Sequence, residues 1–223
     1  MYRDVFALYE TTLKRNPDCW MAHNNLAMTL ANAGRVSEAV PHVEQALKLR
    51  PDFPEALNNL GDDLIQLEQP QEAIPYLEKA IRLQPSYAVA QRNLGRALAM
   101  ANHTREAIPH FVEAARLNPA NPEAELNWGI GLMLTGHFND AVPHFERACT
   151  LDPTPNAHLM FGRARLDHHN YEQAVTHFRA VLEFDDNSAE AHLNLALALR
   201  ALGQTNEATQ HFRQARQVGA NPP

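Results

Sequence analysis

Twelve histidines give this chain its widest chemical reach, because imidazole can move protons or ligate metals near neutral pH. Five of them, His42, His110, His144, His177 and His211, recur at one position of a repeating unit, with Tyr76 in the remaining unit. Metal ligands must all reach one ion at about 2 Å, whereas equivalent positions of successive units lie a whole helical hairpin apart. His168 and His169 are neighbours, but adjacent residues of a helix point apart. The spacing therefore predicts no metal site, and histidines half-packed on the outer face. Cys19 and Cys149 match no metal or redox spacing and read as small, partly buried side chains. No glycine-rich phosphate loop, nucleophile elbow or zinc-protease helix is present. The carboxylates form no pair that the sequence can place in one pocket. Neither a catalytic role nor a cofactor is expected.

The formal net charge of −7 argues against nucleic acid as the main partner, since binding a phosphate backbone needs a basic face. No apolar run approaches the roughly 20 residues of a membrane span. Met1 is followed by charged, amphipathic sequence rather than a signal peptide. Direct membrane insertion is not expected, and the compartment stays open. With 45% apolar residues there is ample material for burial, and general disorder is excluded.

The elements that position these residues follow from a fixed period. Ala39 recurs as Ala73, Ala107 and Ala141, each 34 residues on, then as Ala174 and Ala208; Pro51 recurs as Pro85, Pro119 and Pro153, and backwards as Pro17. Six units follow: 20–53, 54–87, 88–121, 122–154, 155–188 and 189–222. Residues 1–19 read as a lone second helix with Tyr2, Val5, Phe6, Tyr9 and Leu13 on one face. This is the second half of a truncated unit or an N-terminal cap, with truncation preferred.

Each first helix carries a small residue at its eighth position: Ala27, Gly61, Gly95, Gly129, Gly162 or Ala196. Only hydrogen or methyl is expected to fit where the two helices of a hairpin approach. The second helix brings its alanine, then a plug (Val43, Leu77, Phe111, Phe145, Phe178 or Phe212), on one stripe. Gly34, Gly136 and Gly203 mark left-handed turns within units. Asn102 suits that place, whereas Glu68 and His169 are expected to strain the turn or change it. Pro41, Pro75, Pro109 and Pro143 are placed near the start of the second helix, where a missing N–H matters little. Ala157 follows Ala124 by 33 residues, which puts the missing residue in the loop 154–156, and Arg165 replaces a leucine of the other units. The fifth unit is expected to be the least regular.

Period, small eighth residue, glycine turn, repeated alanines and closing proline together resemble the tetratricopeptide repeat (TPR) family over nearly the whole chain. The fold class is then all-α, an α-solenoid of stacked antiparallel helix pairs. The resemblance implies a right-handed superhelix whose concave groove, lined mainly by first helices, binds an extended peptide or a partner helix. At the sixth position stand Asn25, Asn59, Asn93, Asn127 and Asn194, broken by Met160. In related arrays, notably that of O-GlcNAc transferase, matching asparagines form a ladder along the groove. An amide offers both donor and acceptor and can pair with any peptide backbone. The other reading is a polar filler at an exposed site. Asp62, Asp63, Arg92, Arg96, Arg163 and Asp167 are expected to line the same groove; they either select ligand charge or are simply solvated. Arg92 and Arg96 do not reproduce the order of the carboxylate clamp found in chaperone-binding members.

The partner expected is thus a protein or peptide segment. Two other readings remain open. Leu195, Leu199 and Phe212 at the last unit, and Phe6 and Tyr9 at the first helix, are expected to be partly uncovered and to offer surfaces for homo-oligomers. Alternatively the chain is the substrate-recognition region of a larger glycosyltransferase or membrane-anchored protein.

Overall fold

The structure, a computed structural model, describes residues 2–219, with the side chains of residues 2–4 left aside. The expected packing of the Tyr2 ring, and the end of the chain beyond Gly219, lie outside the described residues. The chain divides into two compact units, Met1–Pro119 and Ala120–Pro223. Among the described residues there are thirteen α-helices and no strand. Unit 1 holds α1 (Tyr2–Arg15), α2 (Trp20–Asn32), α3 (Val36–Leu49), α4 (Pro54–Gln66), α5 (Pro70–Leu83), α6 (Ala88–Met100) and α7 (Thr104–Leu117). Unit 2 holds α8 (Pro122–Leu134), α9 (Phe138–Leu151), α10 (Pro155–Asp167), α11 (Tyr171–Phe184), α12 (Ala189–Ala201) and α13 (Thr205–Gln217).

In unit 1, α2 packs on α3, α4 on α5 and α6 on α7; α3 touches α4 and α5 touches α6. The first helices also meet directly, α2 with α4 and α4 with α6. Unit 2 repeats the scheme with α8/α9, α10/α11 and α12/α13, and again α8 meets α10 and α10 meets α12. The periodic alanines Ala39, Ala73, Ala107, Ala141 and Ala174 are fully buried, as are the plugs Val43, Leu77, Phe145 and Phe178.

The small eighth residue is explained by those plugs. A Cβ on Gly61 would stand 2.5 Å from Leu77 Cγ, and on Gly129 or Gly162 it would stand 2.6 Å from Phe145 or Phe178. At Gly95 it would collide with the Phe111 ring. The expectation of hydrogen or methyl is thereby sharpened: in these four units a methyl would press into the leucine or phenylalanine plug. Ala27 faces the unit with the smaller plug, Val43, and Ala196 the unit in which Phe212 is only half-buried.

The turns are more uniform than the sequence suggests. Glu68 (φ 60), Asn102 (φ 66) and His169 (φ 57) take the same left-handed conformation as Gly34, Gly136 and Gly203, at a cost on the order of 1 kcal/mol for a residue with a Cβ. The turn is kept and the side chain tolerates it. The prolines differ from expectation. α3, α5, α7 and α9 begin at Val36, Pro70, Thr104 and Phe138, so Pro41, Pro75, Pro109 and Pro143 lie inside the helix, beyond its first turn. There each removes a bond that an N–H would have made to the carbonyl four residues back.

The shortened loop is absorbed at a cap. Thr154 Oγ1 accepts from the Ala157 N–H at 3.2 Å and Pro155 takes the first helical position, so α10 starts without loss. Arg165 lays its guanidinium over the Phe161 ring, 4.9 Å from the centroid, in place of the missing leucine. The uncovered apolar face expected at the last unit is not observed for two of its members. Leu195 and Leu199 are 0% exposed, gathered with Phe178, Val175 and Ala208, and only Phe212 stays half-buried.

Candidate functional site

First helices lie beside first helices in each unit, and their side chains at the sixth, ninth and tenth positions build the candidate surface. In unit 1 these side chains form a connected polar array. Asn59 Nδ2 donates to Asn24 Oδ1 (3.3 Å) and Asn93 Nδ2 donates to Asn58 Oδ1 (3.0 Å). The same link, spanning 35 residues from the sixth position of one pair to the fifth of the pair before, thus recurs one repeat on. Asn24 also donates to Asn25 Oδ1 at 3.4 Å. Arg96 Nη1 reaches Asp62 Oδ1 at 3.1 Å and Asn93 Oδ1 at 3.4 Å, and Gln66 Nε2 donates to Asp62 Oδ2 at 2.9 Å.

The asparagines differ in availability. Asn93 is 1% exposed, so its amide serves the contact between α4 and α6; Asn25 and Asn59 are half-buried. Arg92 is half-buried on α6. In unit 2, Asn127 on α8 and Asn194 on α12 are half-buried, and Arg163 on α10 is exposed with Glu190 Oε1 3.4 Å away. No hydrogen bond among the described residues joins Asn127, Arg163 and Asn194.

Between α2 and α4 this face sinks into a cavity of about 240 Å³, walled by Met28, Ala31 and Asn32 from α2 and by Asn59, Asp62, Asp63 and Gln66 from α4. Asp63 is 4% exposed. Burial, with Asp62 beside it, pushes its carboxyl up to about 7. A larger cleft of about 440 Å³ lies among α1, α2 and α3. Within it Arg35 donates through Nε and Nη2 to Glu38 at 2.7 and 2.6 Å.

The histidines are half-buried as expected, and each also has a partner that single-unit reading misses. His42 Nδ1 lies 3.0 Å from His23 Nδ1, His177 from His158 and His211 from His192 at the same distance. His110 pairs with Gln91 and His144 with Glu125, both at 2.8 Å. Every partner is 19 residues earlier, on the first helix of the same pair. Where Tyr76 replaces histidine the residue 19 earlier is Leu57, and the two pack in one apolar cluster. Reading the repeat at a separation of 19 would have revealed this. Among the described residues no group of three or more histidine, cysteine or acidic side chains is placed to hold a metal ion.

The tetratricopeptide repeat model matches residues 18–86 and 52–120, and a second tetratricopeptide repeat model matches 92–158 and 159–222. The chain belongs to the tetratricopeptide repeat family. TPR chains are in general non-catalytic scaffolds that bind protein partners, and no enzyme family is indicated here. No curated protein sequence matches the chain.

Among solved structures, a chain of the APC/C hetero-tetramer Cut9–Hcn1 superposes with a TM-score of 0.84 at 16% identity, over 99% of this chain and 44% of that one. This TPR chain therefore spans less than half the length of that neighbour. PilF of Pseudomonas aeruginosa gives a TM-score of 0.79 at 18% identity, covering 90% of this chain and 91% of its own. YrrB, described as a TPR protein with an unusual peptide-binding site, gives 0.65 at 22% identity, covering 87% and 97%. At these identities the likeness is one of fold. No helix among the described residues is long and apolar enough to cross a membrane.

Proposed function

We propose that this chain is a non-catalytic scaffold that holds an extended segment of a partner protein on its first-helix face. The six helix pairs from residue 20 to 222 serve as recognition units, with residues 1–19 as a further half-unit. The observation that carries this reading is the cavity between α2 and α4, to which the candidate surface contributes Met28, Asn59, Asp62 and Asp63. Asn59 keeps its amide oxygen for a backbone N–H of the ligand, and Asn25 Oδ1, which accepts from Asn24, has a second lone pair for another. Asp62 and Arg96, held against each other, set the charge beside them. Arg92 extends the contact in unit 1, where Asn93 supports it from beneath, and Asn127, Arg163 and Asn194 form the corresponding surface of unit 2.

The reading is tested by selecting binders from an unbiased displayed peptide library, then measuring them on a variant carrying Asn59→Ala and Asp62→Ala with unchanged melting. The expected result is a loss of tenfold or more in affinity. Binding of equal strength to both proteins would remove this face from consideration. Recovery of no peptide, together with a mass that rises with concentration, would favour self-assembly instead.

A further inference from the structure

Asp63 is out of keeping with its own repeat. It occupies the tenth position, where the other units place Thr29, Ala97, Gly131, Ala164 and Ala198, all buried and small. Thr29 satisfies its hydroxyl on its own helix, Oγ1 donating to the Asn25 carbonyl at 2.7 Å. Asp63 has no such answer. Its carboxylate accepts no hydrogen bond and joins no ion pair among the described residues, although it is 4% exposed. A carboxyl this buried with no partner from the protein is costly, and it opens into the α2–α4 cavity.

The walls around it are selective. Asp62 is already met by Arg96 and Gln66, so Asp63 is the acidic group of the cavity with no cation beside it, and an incoming cation would favour its ionised form. Asn59 spends its Nδ2 on Asn24, which leaves its Oδ1 as an acceptor. Met28 and Ala31 supply apolar wall. Acceptors at the floor and apolar sides above suit a cation on an aliphatic stem, because lysine buries its methylenes while its ammonium seeks several acceptors.

Resting on the proposed peptide-binding reading, we propose that the α2–α4 cavity is a specificity pocket for a lysine or arginine side chain of the partner segment, with Asp63 as its counter-charge. The pocket makes the scaffold selective for basic segments despite a face otherwise built to read backbone. The charged groups facing Asp63 are Asp62 from its own helix and, beyond it, Arg96 from α6. α2 contributes only neutral side chains to the cavity, and neither α3 nor α5 contributes to its lining.

The test uses two pools of random dodecapeptides, one with lysine fixed at a central position and the other with norleucine there. The lysine pool is expected to bind the wild-type chain at least tenfold more tightly, and Asp63→Asn, which keeps the shape and removes the charge, is expected to abolish the difference. Asp63→Asn should melt no lower than wild type, so a lost preference cannot be assigned to unfolding. Equal binding of both pools, or a lysine preference that survives Asp63→Asn, overturns the pocket while leaving the groove reading intact. Failure of both pools to bind overturns the groove reading and the pocket with it.

Discussion

Unit 1 and unit 2 are built on one repeat and solve its polar contacts differently. In unit 1 the first helices are joined by amides, because Asn24 and Asn58 at the fifth position accept from Asn59 and Asn93. In unit 2 the fifth position is Leu126, Leu159 and Leu193; Leu126 shares an apolar cluster with Met160, and no fifth-position amide is there to pair with Asn194. Helix starts divide the same way. Asn121, Thr154 and Ser188 cap α8, α10 and α12 with side-chain oxygens, whereas α2, α4 and α6 begin after Cys19, Phe53 and Tyr87 with no side-chain cap. Phe53 instead sets its edge on Trp20 at 4.8 Å, with Arg50 over both rings. The helix-pair geometry is thus fixed by the small and apolar positions common to both units. The polar positions are left to vary, and the uncompensated buried carboxylate of Asp63 lies in unit 1.

The shared positions should be the least forgiving in either unit. Gly95→Leu and Gly129→Leu drive a side chain into Phe111 and Phe145, and each is expected to cost on the order of 3 kcal/mol or more. Chemical denaturation reads this directly, and unchanged midpoints would contradict the close-packing account. Asn58→Leu gives unit 1 the fifth residue of unit 2 and strands the buried Asn93 amide. It should cost about 1–3 kcal/mol, largely recovered in Asn58→Leu/Asn93→Met, where the apolar pair imitates Leu126 and Met160. Asn194→Leu, in a unit without that link, should change stability by less than about 0.5 kcal/mol. An Asn194 effect as large as that of Asn58 would erase the contrast. Thr154→Ala removes one cap of unit 2 and should cost about 1 kcal/mol.

Acid acts with opposite sign on the α10–α11 pair and on α4. Burial, then the neighbouring His158 and Arg165, lower His177 from its ordinary 6.5 to about 4. Its neutral form is favoured when folded, so its contribution is complete above pH 6.5 and is lost as pH falls towards 4. Asp63 runs the other way. Raised from 3.8 to about 7, it contributes fully below pH 3.8 and loses that contribution as pH rises through 7. Amide exchange between pH 7.5 and 5 should therefore weaken in protection around α10 and α11 and strengthen around α4. The fifth pair, 155–188, should lose protection first as denaturant is added; uniform protection along the chain would refute both the acid and the local-stability expectations.

Much of this was legible in the residues themselves. A period of 34 with alanine, glycine and proline in register places the helices, and Gly34 with its counterparts marks the turns even where Glu68 and His169 stand. The histidine clasps were hidden because each repeat position was read down the array rather than across the hairpin, where a separation of 19 pairs His42 with His23 and Tyr76 with Leu57. Asp62 and Asp63 look alike as neighbours, yet one helical step of about 100° turns the first towards Arg96 and the second into a place that the other units give to threonine, alanine or glycine. The role of Asn93 could not be read from its own unit, since its partner Asn58 belongs to the one before.

The most direct measurement is a two-dimensional amide NMR titration of the isotope-labelled chain with the lysine-bearing peptide pool. The account predicts shifts concentrated at residues 28–32 of α2 and 59–66 of α4, with smaller ones on α6, that shrink in Asp63→Asn to those the norleucine pool produces. Shifts confined to α3, α5 and α7, or to unit 2 alone, would contradict it.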